Sequence, residues 1–131
     1  MPLSLWGVLT GIRDACAELP DLATCQIGIE TPIVPTAYPI LRLVPSVLRE
    51  RDDATPWSPG MELLVYYGEY VRPLDEGGLE AQYEWLLGRE DAIKRAVIPG
   101  SGWRARWIDT VWDEDRIPGM KMFCSRFEVW S

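Results

Sequence analysis

Two runs near the end of the chain, residues 103–112 (WRARWIDTVW) and 120–131 (MKMFCSRFEVWS), flank the turn DEDRIPG and hold four of its seven tryptophans. Both alternate side chains with a period of two, the pattern of strands with unlike faces, and two such runs around a polar turn make a hairpin. The chain is therefore bound to an antiparallel sheet. In the first run Trp103, Ala105, Trp107, Asp109 and Val111 share one face, and Arg104, Arg106, Ile108, Thr110 and Trp112 the other. In the second, Phe123, Ser125, Phe127 and Val129 read as the core face, with Met120, Met122, Cys124, Arg126, Glu128 and Trp130 opposite. A mixed Met, Trp and Arg face is characteristic of protein interfaces, because those side chains bury large areas and keep polar handles. The plain alternative is that the aromatics complete the core or lie beside it. A strand this aromatic, running to the last residue, reads as a surface made to be covered.

Upstream, Leu5, Val8, Leu9, Ile12, Cys16 and Leu19 recur at steps of three and four, one face of a first helix with Ser4 as N-cap and Pro20 as its stop. Residues 24–30 alternate as a strand, and the proline-rich stretch 31–39 reads as a loop or broken edge. A short strand is expected over 40–44, then a long irregular loop over 45–59. Residues 61–71 (MELLVYYGEYV) are apolar on both faces apart from the ends and Glu69, as in a central or covered strand. A second helix over 75–97 opens on Asp75 and Glu76 and closes on Lys94 and Arg95 before Pro99 and Gly100. Its expected apolar stripe is Leu79, Tyr83, Leu86, Leu87, Ile93, Ala96 and Val97, with Gly88 the point at which it kinks or splits in two. The order predicts one α+β domain: an antiparallel or mixed sheet of four to five strands with two main helices on one face.

Chemistry is constrained mostly by what the chain lacks. It has no histidine, the usual general acid or base near neutral pH. The acid pairs Asp52–Asp53, Glu90–Asp91 and the run Asp113, Glu114, Asp115 fall in expected loops or on a polar helix face, where carboxylates are normally solvated. DDAT and DEDR do not follow the calcium-loop pattern, and GGLE lacks the lysine and spacing of a phosphate loop. The three cysteines, Cys16, Cys25 and Cys124, form no CxxC pair and read as buried reduced thiols. No metal or cofactor is expected, and no enzyme activity. A net charge of −7 disfavours binding along a nucleic-acid backbone, and suits either an ordinary acidic protein or a wall past which DNA slides. MPLSLWGVLTGIRDAC has neither the basic start nor the long apolar run of a signal peptide, and no stretch approaches a membrane span, so a cytoplasmic, membrane-free protein is expected.

The order of elements, the size, the acidity and the long loop after the second strand resemble the tail terminator (tail completion) proteins of long-tailed bacteriophages. The most similar part is MELLVYYGEYV, the helix that follows it, and the terminal hairpin. The proline-rich 31–39 stretch and Gly88 depart from the family pattern. The resemblance implies a virion structural protein, assembled in the host cytoplasm, that forms a homohexameric ring on the tail tube. Its partners would be the tail tube protein and the head-completion or neck protein, with DNA passing through unbound. It also implies a reaching arm with Arg49, Arg51, Asp52, Asp53 and Trp57 and a channel-facing acidic turn of Asp113, Glu114 and Asp115; the mixed tryptophan and arginine faces of the hairpin make Trp112 and Trp130 further expected contacts. The rival reading is an acidic immunity or antitoxin-like inhibitor, which would use charge to speed encounter with a basic enzyme.

Overall fold

The computed structural model describes residues 4–29, 33–50, 59–113 and 118–131. Helix α1 (Leu5–Ala17) starts where Ser4 Oγ accepts a hydrogen bond from the Gly7 amide at 3.0 Å. That bond satisfies one of the orphan donors of a first helical turn. Val8, Leu9, Ile12 and Cys16 form its buried stripe, as their spacing requires. The helix stops before Pro20, with the Leu19 amide bonded to the Cys16 carbonyl.

Five strands follow: β1 (Thr24–Ile27), β2 (Ile40–Glu50), β3 (Pro59–Tyr70), β4 (Arg104–Asp113) and β5 (Met120–Trp130), with helix α2 (Gly78–Val97) between β3 and β4. Their order across the sheet is β1-β2-β3-β5-β4. β1 runs parallel to β2, and every other pair is antiparallel, so the sheet is mixed. Both helices contact the sheet. Leu41, Leu43, Met61, Leu63, Val65, Tyr67, Phe123, Phe127 and Val129 share one core with residues of α1 and α2. These sheet residues lie on one face, so both helices cover the same side. Each fully buried Leu, Ile or Phe of this layer contributes about 1.5–3 kcal/mol.

Several boundaries differ from the expectation, each for a physical reason. β2 does not stop at Val44 but continues through Pro45 to Glu50, which shortens the expected loop. Proline is tolerated there because β1 ends opposite Leu43, leaving β2 without a paired strand on that side among the described residues, and because the ladder with β3 shifts register between Pro45 and Val47. Gly88 does not split α2, which is continuous. Asp75 and Glu76 lie in a short 3₁₀ turn, Leu74–Glu76, ahead of that helix.

The stripe of α2 also differs. Its buried residues include Gln82, Leu86, Arg89, Glu90, Ile93 and Val97, while Leu79 and Leu87 are exposed. The polar members are tolerated because the sheet supplies partners. Gln82 Nε2 donates to Glu69 Oε2 at 2.9 Å and to the Tyr70 carbonyl at 2.6 Å, and Gln82 Oε1 accepts from the Arg72 amide at 2.9 Å. Glu90 accepts from Thr110 Oγ1 at 2.6 Å and pairs with Lys94 at 3.0 Å. Buried polar groups satisfied in this way cost little, and they fix how the helix sits on the sheet.

Candidate functional site: the open face of the sheet

With both helices on one side, the other side of the sheet is the candidate site. Among the described residues, only the segment 33–39 folds over part of it, at the β1–β2 corner. There Thr24 Oγ1 donates to the Ala37 carbonyl at 2.8 Å, and the Tyr38 ring lies 5.1 Å from that of Tyr70. Arg42 is buried under this corner, with Nη1 donating to Thr24 Oγ1 at 2.8 Å and to the Leu41 carbonyl at 3.0 Å.

The strand registers place the rest of the face. Glu62, Leu64, Tyr66 and Gly68 of β3 stand opposite Glu128, Arg126, Cys124 and Met122 of β5. β4 shifts register between Trp107 and Asp109, a bulge at Ile108. A bulge adds one residue and reverses the alternation beyond it. Ala105 and Trp107 therefore lie on the helix side, yet so do Thr110 and Trp112, while Arg104, Arg106, Asp109 and Val111 lie on the open side. The face assignment made from strict alternation holds before Ile108 and is overturned after it.

The result is a row of alternating charge running across four strands. Arg49 Nη2 lies 3.4 Å from Glu62 Oε2, and Glu62 Oε1 lies 3.5 Å from Arg126 Nη1. Arg126 then grips Asp109 in a two-point fork, Nε to Oδ1 at 2.6 Å and Nη2 to Oδ2 at 2.5 Å. Arg106 Nη2 pairs with Glu128 Oε2 at 3.0 Å in the next row. The fork from Arg126 holds the Asp109 carboxyl below its ordinary range and pushes the guanidinium further up. Beside this row stand half-buried Val44, Leu64, Tyr66, Met122 and Cys124, with exposed Val47 and Val111. Such a surface offers apolar area together with charges of both signs in fixed places, which favours recognition of a surface with a complementary pattern.

The expected contact residues divide. Arg49 is exposed and belongs to the charged row, and Trp130 is half-buried on the open face, opposite Arg104. Trp112 instead packs on the helix side, with its ring 4.9 Å from Phe123 and 6.4 Å from Tyr83. Trp103 is also a core residue, its Nε1 donating to the Val97 carbonyl at 2.9 Å. Among the described residues the exposed tryptophans are Trp6 and Trp107, the latter with Lys94 Nζ 3.9 Å from its ring centre. Arg51, Asp52, Asp53 and Trp57 lie outside the described residues, as do Glu114 and Asp115; Asp113 closes β4. Sequence reasoning did not single out Asp109 or Glu62. Their signal was the arginine opposite each, which emerges only once the register is known.

The thiols are held protonated. Burial pushes Cys16 up to about 12 and Cys124 up to about 11, and raises Cys25 as well. A thiol in this state is a poor nucleophile at neutral pH. Among the described residues, no group of three or more Cys, Asp or Glu side chains is placed to hold a metal ion, and no helix is long and apolar enough to cross a membrane. No family model and no curated protein matches the chain.

Proposed function

We propose that this protein works by contact rather than catalysis, as a tail terminator that closes into a ring on the end of a phage tail tube and joins it to the neck. The observation that carries this reading is the open face of the sheet. It is a wide surface with an ordered charge row and an apolar row, left open among the described residues except at the β1–β2 corner, while the opposite face is filled by both helices. A rigid sheet lets such a pattern be matched without the ordering cost that a flexible surface would carry. The order helix, three strands, helix, two strands is also the order on which the resemblance to tail terminators rests. Neighbouring copies in a ring meet head to tail, so each needs two different surfaces, and the molecule offers two: the open sheet face and the exposed outer side of the helices.

The test is to add the purified protein to growing tail tubes from the phage that encodes it. Tubes that stop growing and carry one ring of the protein at the tip support the reading. Tubes that grow unchecked, with the protein left in the supernatant, overturn it. A tight complex of one copy with a basic enzyme would place the protein among inhibitors instead.

A further inference from the structure

We infer that the cleft beside α2 is a receptor for a single carboxylate carried on a small apolar or aromatic body, with Arg89 taking the charge. This site lies on the helix side, apart from the open face, and does not rest on the ring reading. Its centre is a buried cation. Arg89 is only 3% exposed, and its Nη2 has no hydrogen-bond partner. Its Nε donates to Tyr67 Oη at 3.2 Å, and that hydroxyl donates to Glu69 Oε1 at 2.8 Å. The guanidinium carbon lies 5.0 Å from the Trp85 ring centre and 5.3 Å from that of Tyr67. Among the described residues no carboxylate pairs with it directly. A buried guanidinium has a strong demand for an anion, and its planar fork matches a carboxylate.

The second observation is the space around it. Arg89 lines a cleft of about 460 Å³, within the range of small-ligand sites. The wall includes Gly88, an interior residue of α2 whose missing Cβ would meet no atom within 4 Å. Glycine weakens a helix interior, so a glycine that relieves no close contact stands out, and here it keeps the cleft open. Trp85, Ala81 and Ala92 supply apolar surface, and Arg72, over the same Trp85 ring at 5.2 Å, adds positive charge.

The charge balance selects the ligand. Arg72 already lies 3.8 Å from Glu69, and Glu84 also lines the cleft, so a doubly charged phosphate would meet more repulsion than a monoanion. Nη2 is sealed from solvent, so a carboxylate entering the cleft reaches the fork through a local shift of the side chains around Arg89.

The probes are benzoate, its neutral isostere benzamide, and inorganic phosphate, read by the NMR signal of the Arg89 side-chain Nε–H. Benzoate is expected to shift that signal saturably, with at least about tenfold tighter binding than benzamide or phosphate. Gly88→Leu fills the cleft from an exposed helix position and should weaken benzoate at least about tenfold without unfolding the protein. Arg89→Met, followed by the indole N–H signal of Trp85 in the same cleft, should remove the preference for benzoate over benzamide, and Gly88→Leu carries the test if Arg89→Met does not fold. Equal binding of benzoate and benzamide, tighter binding of phosphate, no binding of benzoate, or unchanged binding in Gly88→Leu would each overturn the assignment.

Discussion

Alanine in place of Gly11 should destabilise the protein, whereas alanine in place of Gly88 should stabilise it, although both glycines are interior to helices. In a helix interior the exchange is worth about 0.8–1.0 kcal/mol in favour of alanine. At Gly88 nothing opposes that gain, since the added Cβ meets no atom within 4 Å. At Gly11 the Cβ would come to 2.8 Å from Cζ3 and 3.2 Å from Cε3 of Trp103. Trp103 has little room to retreat. Its indole nitrogen is bonded to the Val97 carbonyl at 2.9 Å, and a Cβ at Gly100 would lie only 2.0 Å from the same ring. Overpacking of this kind costs about 1–3 kcal/mol, so the net effect at Gly11 is a loss of about 1 kcal/mol. The two variants should then differ by about 2 kcal/mol, or about 8 °C in melting temperature at roughly 4 °C per kcal/mol for a chain of this size. Thermal and urea unfolding of both variants measures this directly. Trp103→Phe shortens the ring that Gly11→Ala strikes, so the double variant should recover about 1 kcal/mol relative to additivity. Equal stabilisation by both alanines would refute the placement of Trp103 against α1, and with it the assignment of this tryptophan to the core rather than to a contact surface.

Other perturbations probe separate parts of the account. Ser4→Ala removes the N-cap of α1 and should cost about 1 kcal/mol, read from the urea midpoint at unchanged slope. Tyr67→Phe removes the hydroxyl between Arg89 and Glu69, and leaving buried polar groups unpaired should cost about 1–3 kcal/mol in the same assay. Burial, then Glu69, raises Tyr67 from 10.0 to about 12, so its contribution to stability is full below pH 10 and is lost as pH rises toward 12; the Tyr67→Phe variant should not show that loss. Asp109 is shifted the other way, below its ordinary 3.8, by the Arg126 fork, so its contribution is present above that pH and fades as pH falls through the lowered value. The melting-temperature gap between wild type and Asp109→Asn should accordingly be small at pH 6 and close on acidification below pH 4, and since the pair is exposed it should also shrink with salt.

The strand β5 and the buried stripe of α1 were legible because each carries an unbroken period that burial then enforces, and β3 because an apolar run on both faces marks a strand with neighbours on either side. β2 was read short because Pro45 looks like a stop, and only the end of β1 opposite Leu43 shows why a proline can sit there. The bulge at Ile108 was invisible, since no glycine or proline marks it, yet it moves Trp112 into the core and Asp109 onto the open face. The buried face of α2 was misjudged at Gln82, Arg89 and Glu90 for a related reason. A polar side chain reads as exposed until its partner is known, and theirs lie in sheet strands far along the chain. The candidate surface was half legible: the Met, Trp and Arg composition of β5 pointed to it, but the charge row needed the register of four strands.

The central claim is that copies of this protein associate through the open face of the sheet. Light scattering coupled to size exclusion, over a range of concentrations, tests it most directly when wild type is run beside Arg126→Glu. That reversal places three acids, Glu62, Asp109 and the new glutamate, in one row, and circular dichroism checks that the variant remains folded. The account predicts a ring-sized species near six copies for wild type, and a monomer for the folded variant. Wild type that stays monomeric at every concentration, or a variant that assembles as well as wild type, would contradict it.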